Sequence, residues 1–254
     1  MFRRSGPGYD AGGRIPGETF KGKTAHASVI ISTHQITQKG VYDMKRKGIM
    51  TELLIVLGAV FLMLPAHGGA SAAEVQLGKP APEFTFTDIE GTQAKLSDFR
   101  GKYVVIEWFN HGCPFVGKHY KSDKMQNLQR TYTEAGIVWI AVNSTGDGHD
   151  NYRDAAMTGK EAEAKGTSAT YIVLDPSGEI GKLYGAKTTP HVFIVDPQGD
   201  VIYMGAADSI NSTDTGDIAK AENYIELALS EALAGKPVTT PETKSYGCSV
   251  KYKE

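Results

Sequence analysis

One cysteine lies where a run of strand-forming residues gives way to helix-forming residues. Residues 103–109 are nearly continuously apolar and β-rich, which predicts a buried central strand. A helix is predicted over residues 118–135, so Cys113 lies on the turn between them and is followed by Pro114. Backbone N–H groups and the helix dipole favour a thiolate there, and proline suits a first helical turn. The alternative interpretation is a small buried hydrophobe that happens to precede a helix.

A segment upstream of this cysteine predicts export. The basic stretch Lys45-Arg46-Lys47 follows Met44, and an apolar run extends from Leu53 to about Pro65. Ala70-Ser71-Ala72 then matches an A-x-A cleavage site, so residues 44–73 have the order of a secretory signal peptide. The apolar run is about a dozen residues, whereas a membrane span needs roughly 20. An uncleaved membrane anchor is the alternative.

The predicted signal peptide divides the chain into segments. Residues 1–43 are rich in Gly, Ser, Thr and basic residues, and we expect a disordered extension upstream of the true start codon. Cleavage near Ala72-Ala73 would leave a domain at residues 74–235 and an extended tail at residues 236–254, with no stable membrane insertion. A periplasmic or extracellular destination permits a lasting disulfide, and the chain has two cysteines. The net charge is −2 without a basic stripe, so nucleic acid is not an expected partner.

Strand and helix patterns alternate along the predicted domain. Strands are predicted at residues 84–86, 103–109, 137–142, 171–174, 191–195 and 201–204, and helices at residues 118–135, 152–165, 179–184 and 218–234. The first strand belongs to a short N-terminal hairpin. Strand–helix–strand units followed by a hairpin and a helix imply an α/β fold, with a central mixed sheet covered by helices on both faces. The Pro- and Thr-rich residues 236–245 predict an extended tail that carries Cys248 to its docking place.

Three motifs occur in the order found in a known family. They are Cys113-Pro114-Phe115-Val116 with Lys118-His119-Tyr120, Tyr184-Gly185-Ala186 with Thr189-Pro190-His191, and Gly247-Cys248-Ser249-Val250-Lys251. With the opening Gly78-Lys79-Pro80, they resemble the redoxin and alkyl-hydroperoxide-reductase/thiol-specific-antioxidant group of the thioredoxin-like superfamily, and within it a peroxiredoxin-like, thioredoxin-related subfamily. The resemblance implies a thioredoxin-like three-layer sandwich. It also implies a cis bond before Pro190, which would expose the backbone of Thr189 to a partner strand beside Cys113.

The sequence departs from the better-known members of that superfamily. A thioredoxin has a second active-site cysteine three residues after the first, and here that residue is Val116. A peroxiredoxin has a proline, a threonine and an arginine that act on the peroxide. The corresponding places hold Ile106, Asn110 and Pro190. Asn110 could still donate one hydrogen bond, but the arginine charge has no substitute. An intermediate formed at Cys113 therefore has one candidate resolving thiol, Cys248.

These residues predict an exported thiol–disulfide oxidoreductase with Cys113 as nucleophile and Cys248 as resolving thiol, paired within one chain or between two. The alternative is a peroxiredoxin-like thiol peroxidase that forms a sulfenic acid at Cys113. A third class is a copper-assembly protein, with Cu(I) held by both cysteines and His111 or His191. A fourth is a non-catalytic domain with a structural disulfide. No cofactor is expected, and the expected partner is a redox protein, a small thiol or a peroxide.

Other residues are expected to support the two cysteines. The supporting set is Trp108, Asn110, His111, Pro114, Thr189 and Pro190. Trp108 is expected either in the core or beside the thiol, and His111 would lower the pKa of Cys113 only when protonated and directed inward. We expect Lys118 and His119 at the surface and Tyr120 packed inward.

Overall fold

The computed structural model describes residues 75–254. The predicted extension at residues 1–43 and the predicted signal peptide at residues 44–73 lie outside the described residues. Within residues 75–254, none of the helices has the length and apolar character needed to cross a bilayer.

Short strands and helices alternate along the described chain. The strands are β1 (Thr85–Thr87), β2 (Gln93–Lys95), β3 (Val104–Trp108), β4 (Val138–Asn143), β5 (Tyr171–Leu174), β6 (Thr188–Thr189), β7 (His191–Val195), β8 (Val201–Gly205) and β9 (Cys248–Ser249). The α-helices are α1 (Pro114–Lys121), α2 (Lys124–Glu134), α3 (Ala155–Ala164), α4 (Glu179–Leu183) and α5 (Tyr224–Leu233). Short 3₁₀ turns occur at Leu96–Phe99 and Thr215–Asp217.

Five strands form the central sheet, in the order β5-β4-β3-β7-β8. β3 pairs in parallel with β4, and β4 with β5, because helical crossovers connect them. β7 runs antiparallel to both β3 and β8. The tight turn at residues 196–200 reverses the chain between β7 and β8. The mixed sheet confirms the predicted topology. Every residue of β3, β4 and β7 is buried, which explains their continuous apolar sequences.

A separate layer packs against each face of the sheet. On one face, Val105 and Phe109 pack with residues of α1, α2 and α5. On the other face, Ile106 and Trp108 pack with the β1–β2 hairpin and with Tyr184, which follows α4. This arrangement is the α/β three-layer sandwich that the sequence predicts, including its N-terminal hairpin.

The helix predicted over residues 118–135 is two helices. α1 begins at Pro114, directly after Cys113, and ends at Lys121. Asp123 then adopts a left-handed conformation with φ 57°, so the chain bends before α2 begins at Lys124. The prediction was wrong because it treated an apolar pattern as continuous through this residue. The break limits α1 to residues Pro114–Lys121.

Two side chains of α1 are buried, although the sequence predicts them at the surface. Lys118 and His119 are both essentially inaccessible to solvent, and Tyr120 packs inward as predicted. The Lys118 ammonium lies 2.8 Å from a carboxylate oxygen of Asp208, which follows β8 and is itself buried. A buried charge needs such a partner, and a residue 90 positions away supplies it here. Neighbouring sequence could not reveal that contact.

Candidate active site

Cys113 is the residue immediately before α1. Its backbone is extended, with φ −81° and ψ 124°, and Pro114 takes the first helical position. The Cys113 carbonyl accepts a hydrogen bond from the Gly117 N–H at 2.8 Å, which closes the first helical turn. Cys113 is 4% exposed. The thiol therefore lies at a helix N-terminus, as predicted, and is almost entirely shielded from solvent.

Asn110 shapes the turn that carries Cys113. Its Oδ1 accepts a hydrogen bond from the Gly112 N–H at 2.7 Å, and its Nδ2 donates to Thr145 Oγ1 at 2.8 Å. The Asn110 carbonyl accepts from the Cys113 N–H at 2.9 Å. These bonds join the end of β3 to the loop that follows β4. Because one of its amide donors is committed to Thr145, Asn110 acts in the described structure mainly as a positioning residue.

The bond between Thr189 and Pro190 is cis, which confirms the prediction. The Cys113 Sγ donates a hydrogen bond to the Thr189 carbonyl at 3.1 Å. Thr189 is thus in direct contact with the thiol through its backbone, while Pro190 connects β6 to β7.

The C-terminal tail brings the second cysteine to the same place. β9 pairs antiparallel with β6, so that Cys248 lies opposite Thr189 and Ser249 lies opposite Thr188. Cys248 is half-buried and packs against the apolar cluster that contains Cys113. Both cysteines line one small cavity of about 80 Å³. Both thiols are free in this structure.

The two thiols have opposite pKa shifts. Burial by itself raises the pKa of Cys113, but the Cys248 and Thr189 side chains and the N–H groups of Val116 and Cys248 act against it. The pKa of Cys113 therefore lies below its ordinary value. Burial and the Cys113 side chain raise the pKa of Cys248 to about 11. At neutral pH, Cys113 is the better thiolate and Cys248 remains a proton donor.

His111 contributes no positive charge to the thiolate at neutral pH. Its ring lies between Phe109 and Tyr120, with centroid separations of 4.9 and 5.2 Å. Burial, and then the Lys165 charge, lower the pKa of His111 to about 4. The ring is therefore a neutral packing group, and the groups that favour the Cys113 thiolate are Cys248, the Thr189 side chain and the N-terminus of α1.

Trp108 and His191 lie away from the thiol pair. Trp108 belongs to the core on the opposite face of the sheet, where its Nε1 donates to Ser144 Oγ at 3.0 Å. His191 Nδ1 accepts from the Lys187 N–H at 3.3 Å, and its ring packs on Phe193. In residues 75–254, no three His, Cys, Asp or Glu side chains are grouped so that they could share a metal ion. The copper hypothesis therefore gains no support from the geometry.

The sequence reasoning missed one buried acid close to this site. Glu107 is fully buried on β3, where its carboxylate accepts hydrogen bonds from Trp139 at 2.9 Å and from Gln129 at 3.1 Å. Tyr120, whose ring contacts His111, donates to the same carboxylate at 3.2 Å. The available signal was a lone glutamate inside an apolar strand pattern, because such a strand is buried on both faces.

Comparisons with known proteins agree with this fold. The family model described as the AhpC/TSA family matches residues 77–204. The thiol-disulfide oxidoreductase ResA of Bacillus thuringiensis subsp. konkukian is 32% identical over 152 residues, covering 59% of this chain and 81% of the relative. ResA of Geobacillus thermodenitrificans is 29% identical over 149 residues, covering 59% of this chain and 80% of the relative.

Two solved structures are also similar. An uncharacterized conserved protein from Geobacillus kaustophilus superposes with a TM-score of 0.61 at 28% identity, covering 71% of this chain and 94% of its own. A hypothetical protein from Sinorhizobium meliloti superposes with a TM-score of 0.59 at 24% identity, covering 71% of this chain and 96% of its own. The second likeness concerns the fold alone.

The fold, the helix-terminal cysteine and the matching relatives define an oxidoreductase of the thioredoxin-like class. Within that class, the chain belongs to the AhpC/TSA family. This membership confirms the predicted resemblance to the redoxin and AhpC/TSA group, and the narrower peroxiredoxin-like subfamily stays a prediction.

Replacing Cys248 with alanine should raise the pKa of Cys113, because the substitution removes a side chain that stabilises the thiolate. Cys248→Ser retains a hydroxyl donor and should preserve most of the decrease in the pKa of Cys113. The measurement is the rate of Cys113 alkylation by iodoacetamide as a function of pH. Equal alkylation curves for the wild-type protein and Cys248→Ala would contradict this account of the pKa.

Glu107 should make stability depend on pH. Burial raises the pKa of Glu107 from 4.5 to about 7, although hydrogen bonds from Trp139, Gln129 and Tyr120 oppose the shift. The folded protein retains a proton that the unfolded chain releases, so this group's stabilisation is complete below about pH 4.5 and disappears as the pH rises through about 7. The change amounts to about 3 kcal/mol.

Chemical denaturation of the wild-type protein and Glu107→Gln at several pH values measures this contribution. Glutamine cannot ionise, so the wild-type free energy of unfolding should fall by about 3 kcal/mol relative to that of Glu107→Gln between pH 4.5 and pH 8. The buried histidines are the same in both proteins and cancel in the difference. Glu163→Gln, at an exposed position of α3, is the matched control and should follow the wild-type curve. A pH-independent difference would exclude ionisation of Glu107.

Proposed function

We propose that this chain catalyses thiol–disulfide exchange, with Cys113 as the nucleophile and Cys248 as the resolving thiol. The observation that carries the proposal is the pairing of β9 with β6, which sets Cys248 beside Cys113 at the N-terminus of α1. A lone thiol can attack a disulfide, but the resulting mixed disulfide persists until a second thiol attacks it. Cys248 is close enough to take that second step.

The reaction consists of two exchanges. The Cys113 thiolate attacks one sulfur of a substrate disulfide, forms a mixed disulfide and releases the other substrate sulfur as a thiolate, which takes up a proton. Cys248 then loses its proton and attacks the Cys113 sulfur, which forms the Cys113–Cys248 disulfide and releases the second substrate thiol. Two electrons and two protons pass to the substrate. An external dithiol returns the protein to its reduced state by the reverse exchange.

The opposite pKa shifts support this division of roles. The thiolate is the attacking form, and Cys113 is the cysteine whose pKa lies below its ordinary value. Cys248, with its pKa raised to about 11, does not compete as the first nucleophile at neutral pH. Once Cys113 is bonded to a substrate sulfur, its negative charge no longer opposes ionisation of Cys248. Formation of the mixed disulfide therefore favours the second step.

We also propose that the reaction takes place outside the cytosol, because residues 44–73 have the pattern of a secretory signal peptide. Curated relatives are named thiol-disulfide oxidoreductase ResA, and the proposed partner is accordingly a redox protein or a small thiol. Peroxide reduction remains the alternative outcome of the test. The cavity beside Cys113 is lined by Asn110, Asn143 and Thr145, and its cationic residue is Lys251 of the tail in place of a peroxidase arginine.

The deciding experiment compares two substrates with the same protein. The full chain, Cys113→Ser and Cys248→Ser are each assayed with a disulfide-linked fluorescent peptide and with hydrogen peroxide. The wild-type protein should reduce the peptide repeatedly in the presence of dithiothreitol, and Cys113→Ser should fall to the background rate. Cys248→Ser, assayed without dithiothreitol, should release one peptide thiol per protein and retain the other as a mixed disulfide visible by mass spectrometry, because no resolving thiol remains.

A matched control is Ser230→Ala, at an exposed position of α5 away from the two cysteines, which should leave turnover unchanged. Peroxide consumption that depends on Cys113 and exceeds peptide reduction would replace the proposal with the peroxidase alternative. Release of both peptide thiols by Cys248→Ser in the absence of dithiothreitol would remove Cys248 from the mechanism.

A further inference from the structure

The docked tail obstructs the thiol that the proposed function requires. Cys113 is 4% exposed, and the cavity it shares with Cys248 measures about 80 Å³. Cys248, Ser249, Val250 and Lys251 of the tail form part of the lining of this cavity, so the tail covers one side of Cys113. A polypeptide cannot pair with Thr189 beside Cys113 while residues 246–253 lie where the structure has them.

The tail occupies the backbone edge that an incoming strand would use. Thr188 and Thr189 of β6 pair with β9, and the described residues contain no other strand that pairs with β6. The Thr189 carbonyl also accepts the hydrogen bond from the Cys113 Sγ. An extended chain that paired with Thr189 would carry its own sulfur to the place that Cys248 occupies. The tail and such a chain compete for one edge.

Tyr246 anchors the tail on the N-terminal side of Cys248. Its hydroxyl donates a hydrogen bond to Oδ1 of the buried Asp208, and Asp208 is in turn paired with Lys118. The Tyr246 ring packs edge-on against Phe115 with a centroid separation of 6.0 Å, and the Lys118 ammonium lies 5.8 Å from the ring centroid. Burial, and then Asp208, raise the pKa of Tyr246, so that the hydroxyl keeps the proton it donates.

A second group of contacts holds the tail beyond Cys248. The Val250 N–H donates to the Lys187 carbonyl at 3.1 Å, and the Gly146 N–H donates to the Lys251 carbonyl at 2.7 Å. The Tyr252 hydroxyl donates to the Ala186 carbonyl at 2.7 Å. These acceptors are neutral carbonyls, and the ion pair that Lys253 makes with Asp147 at 3.0 Å is exposed to solvent. The acceptor for Tyr246 is a buried carboxylate. Hydrogen bonds to charged groups are the stronger kind, so Tyr246 is the dominant side-chain anchor.

Gly247 allows the tail to lie this close to β6. Its φ is +136°, a conformation that residues with a side chain rarely adopt. A Cβ added at this position would overlap the Thr189 carbonyl oxygen. A larger residue in place of Gly247 would therefore push β9 away from β6, while the Tyr246 and Asp208 side chains stay chemically unchanged.

We propose that residues 246–253 act as a built-in substrate strand held by the Tyr246–Asp208 latch, and that an extended cysteine-containing polypeptide must displace this strand to react with Cys113. The inference rests on the proposed function and specifies its substrate class. Release of the latch admits the substrate, and return of the tail delivers Cys248 to the mixed disulfide. Tyr246 is thus a positioning residue with opposite effects on the two steps.

The attack step is tested in a Cys248→Ser background, where no resolution follows. The full chain carrying Cys248→Ser reacts with a disulfide-linked peptide of extended sequence and, separately, with the small disulfide 5,5′-dithiobis(2-nitrobenzoate). Tyr246→Phe retains the ring and removes the hydroxyl, and should accelerate attack on the peptide about tenfold, as expected for loss of a hydrogen bond to a charged group. Gly247→Ala should do the same by a different route. Tyr152→Phe, in the loop before α3, is the matched control and should leave the rate unchanged.

The closure step is tested with both cysteines present. Equilibration with reduced and oxidised glutathione measures how strongly the Cys113–Cys248 disulfide is favoured, and Tyr246→Phe should reduce that equilibrium constant about tenfold. Unfolding would also expose Cys113 and separate it from Cys248, so both measurements are made at temperatures where circular dichroism shows every variant to be folded. Suppose that every variant reacts with the small disulfide, and that Tyr246→Phe and Gly247→Ala match the controls in peptide rate and closure constant. That result would overturn the latch and leave the exchange chemistry intact. Failure of Cys113 to attack either disulfide in any variant would overturn the proposed function itself.

Discussion

The site depends on the pairing of β9 with β6, two strands of two residues each. This pairing covers Cys113, sets Cys248 beside it and lowers the pKa of one thiol while raising that of the other. Backbone hydrogen bonds in so short a ladder contribute little individually. The pairing therefore depends on the side chains that hold the tail on each side of Cys248, chiefly Tyr246 and Tyr252.

Two of the three buried carboxylates in the described residues, Asp208 and Glu107, have different environments. Asp208 is paired with the Lys118 ammonium and accepts from Tyr246, so its charge is compensated by groups from two distant parts of the chain. Glu107 accepts hydrogen bonds from the neutral side chains of Trp139, Gln129 and Tyr120, and burial raises its pKa to about 7. Removing one partner of a buried pair is costly because the other charge remains unpaired. Asp208 therefore binds the Tyr246 hydroxyl strongly, because loss of a partner would leave its buried charge less compensated.

The sequence predicts the architecture well because strands buried on both faces are nearly continuous apolar runs, as in β3, β4 and β7. It also places Cys113 correctly, since the strand, the thiol and Pro114 are adjacent in the chain. The tail's docking site and the burial of Lys118 depend on residues far apart in sequence, which periodicity does not relate. Glu107 lies in a strand whose other residues are apolar, and its partners Gln129 and Trp139 are distant in sequence, so the strand pattern does not reveal its hydrogen bonds. The cis bond before Pro190 followed from family resemblance, and local composition does not specify it.

The central claim is that Cys113 and Cys248 are redox partners within one chain. Mild oxidation of the full chain with oxidised glutathione, followed by non-reducing proteolysis and mass spectrometry, tests it directly. The account predicts one linked peptide pair joining Cys113 to Cys248, with the protein still monomeric on a denaturing, non-reducing gel. Two free or separately glutathionylated cysteines, or a disulfide that joins two chains, would contradict it.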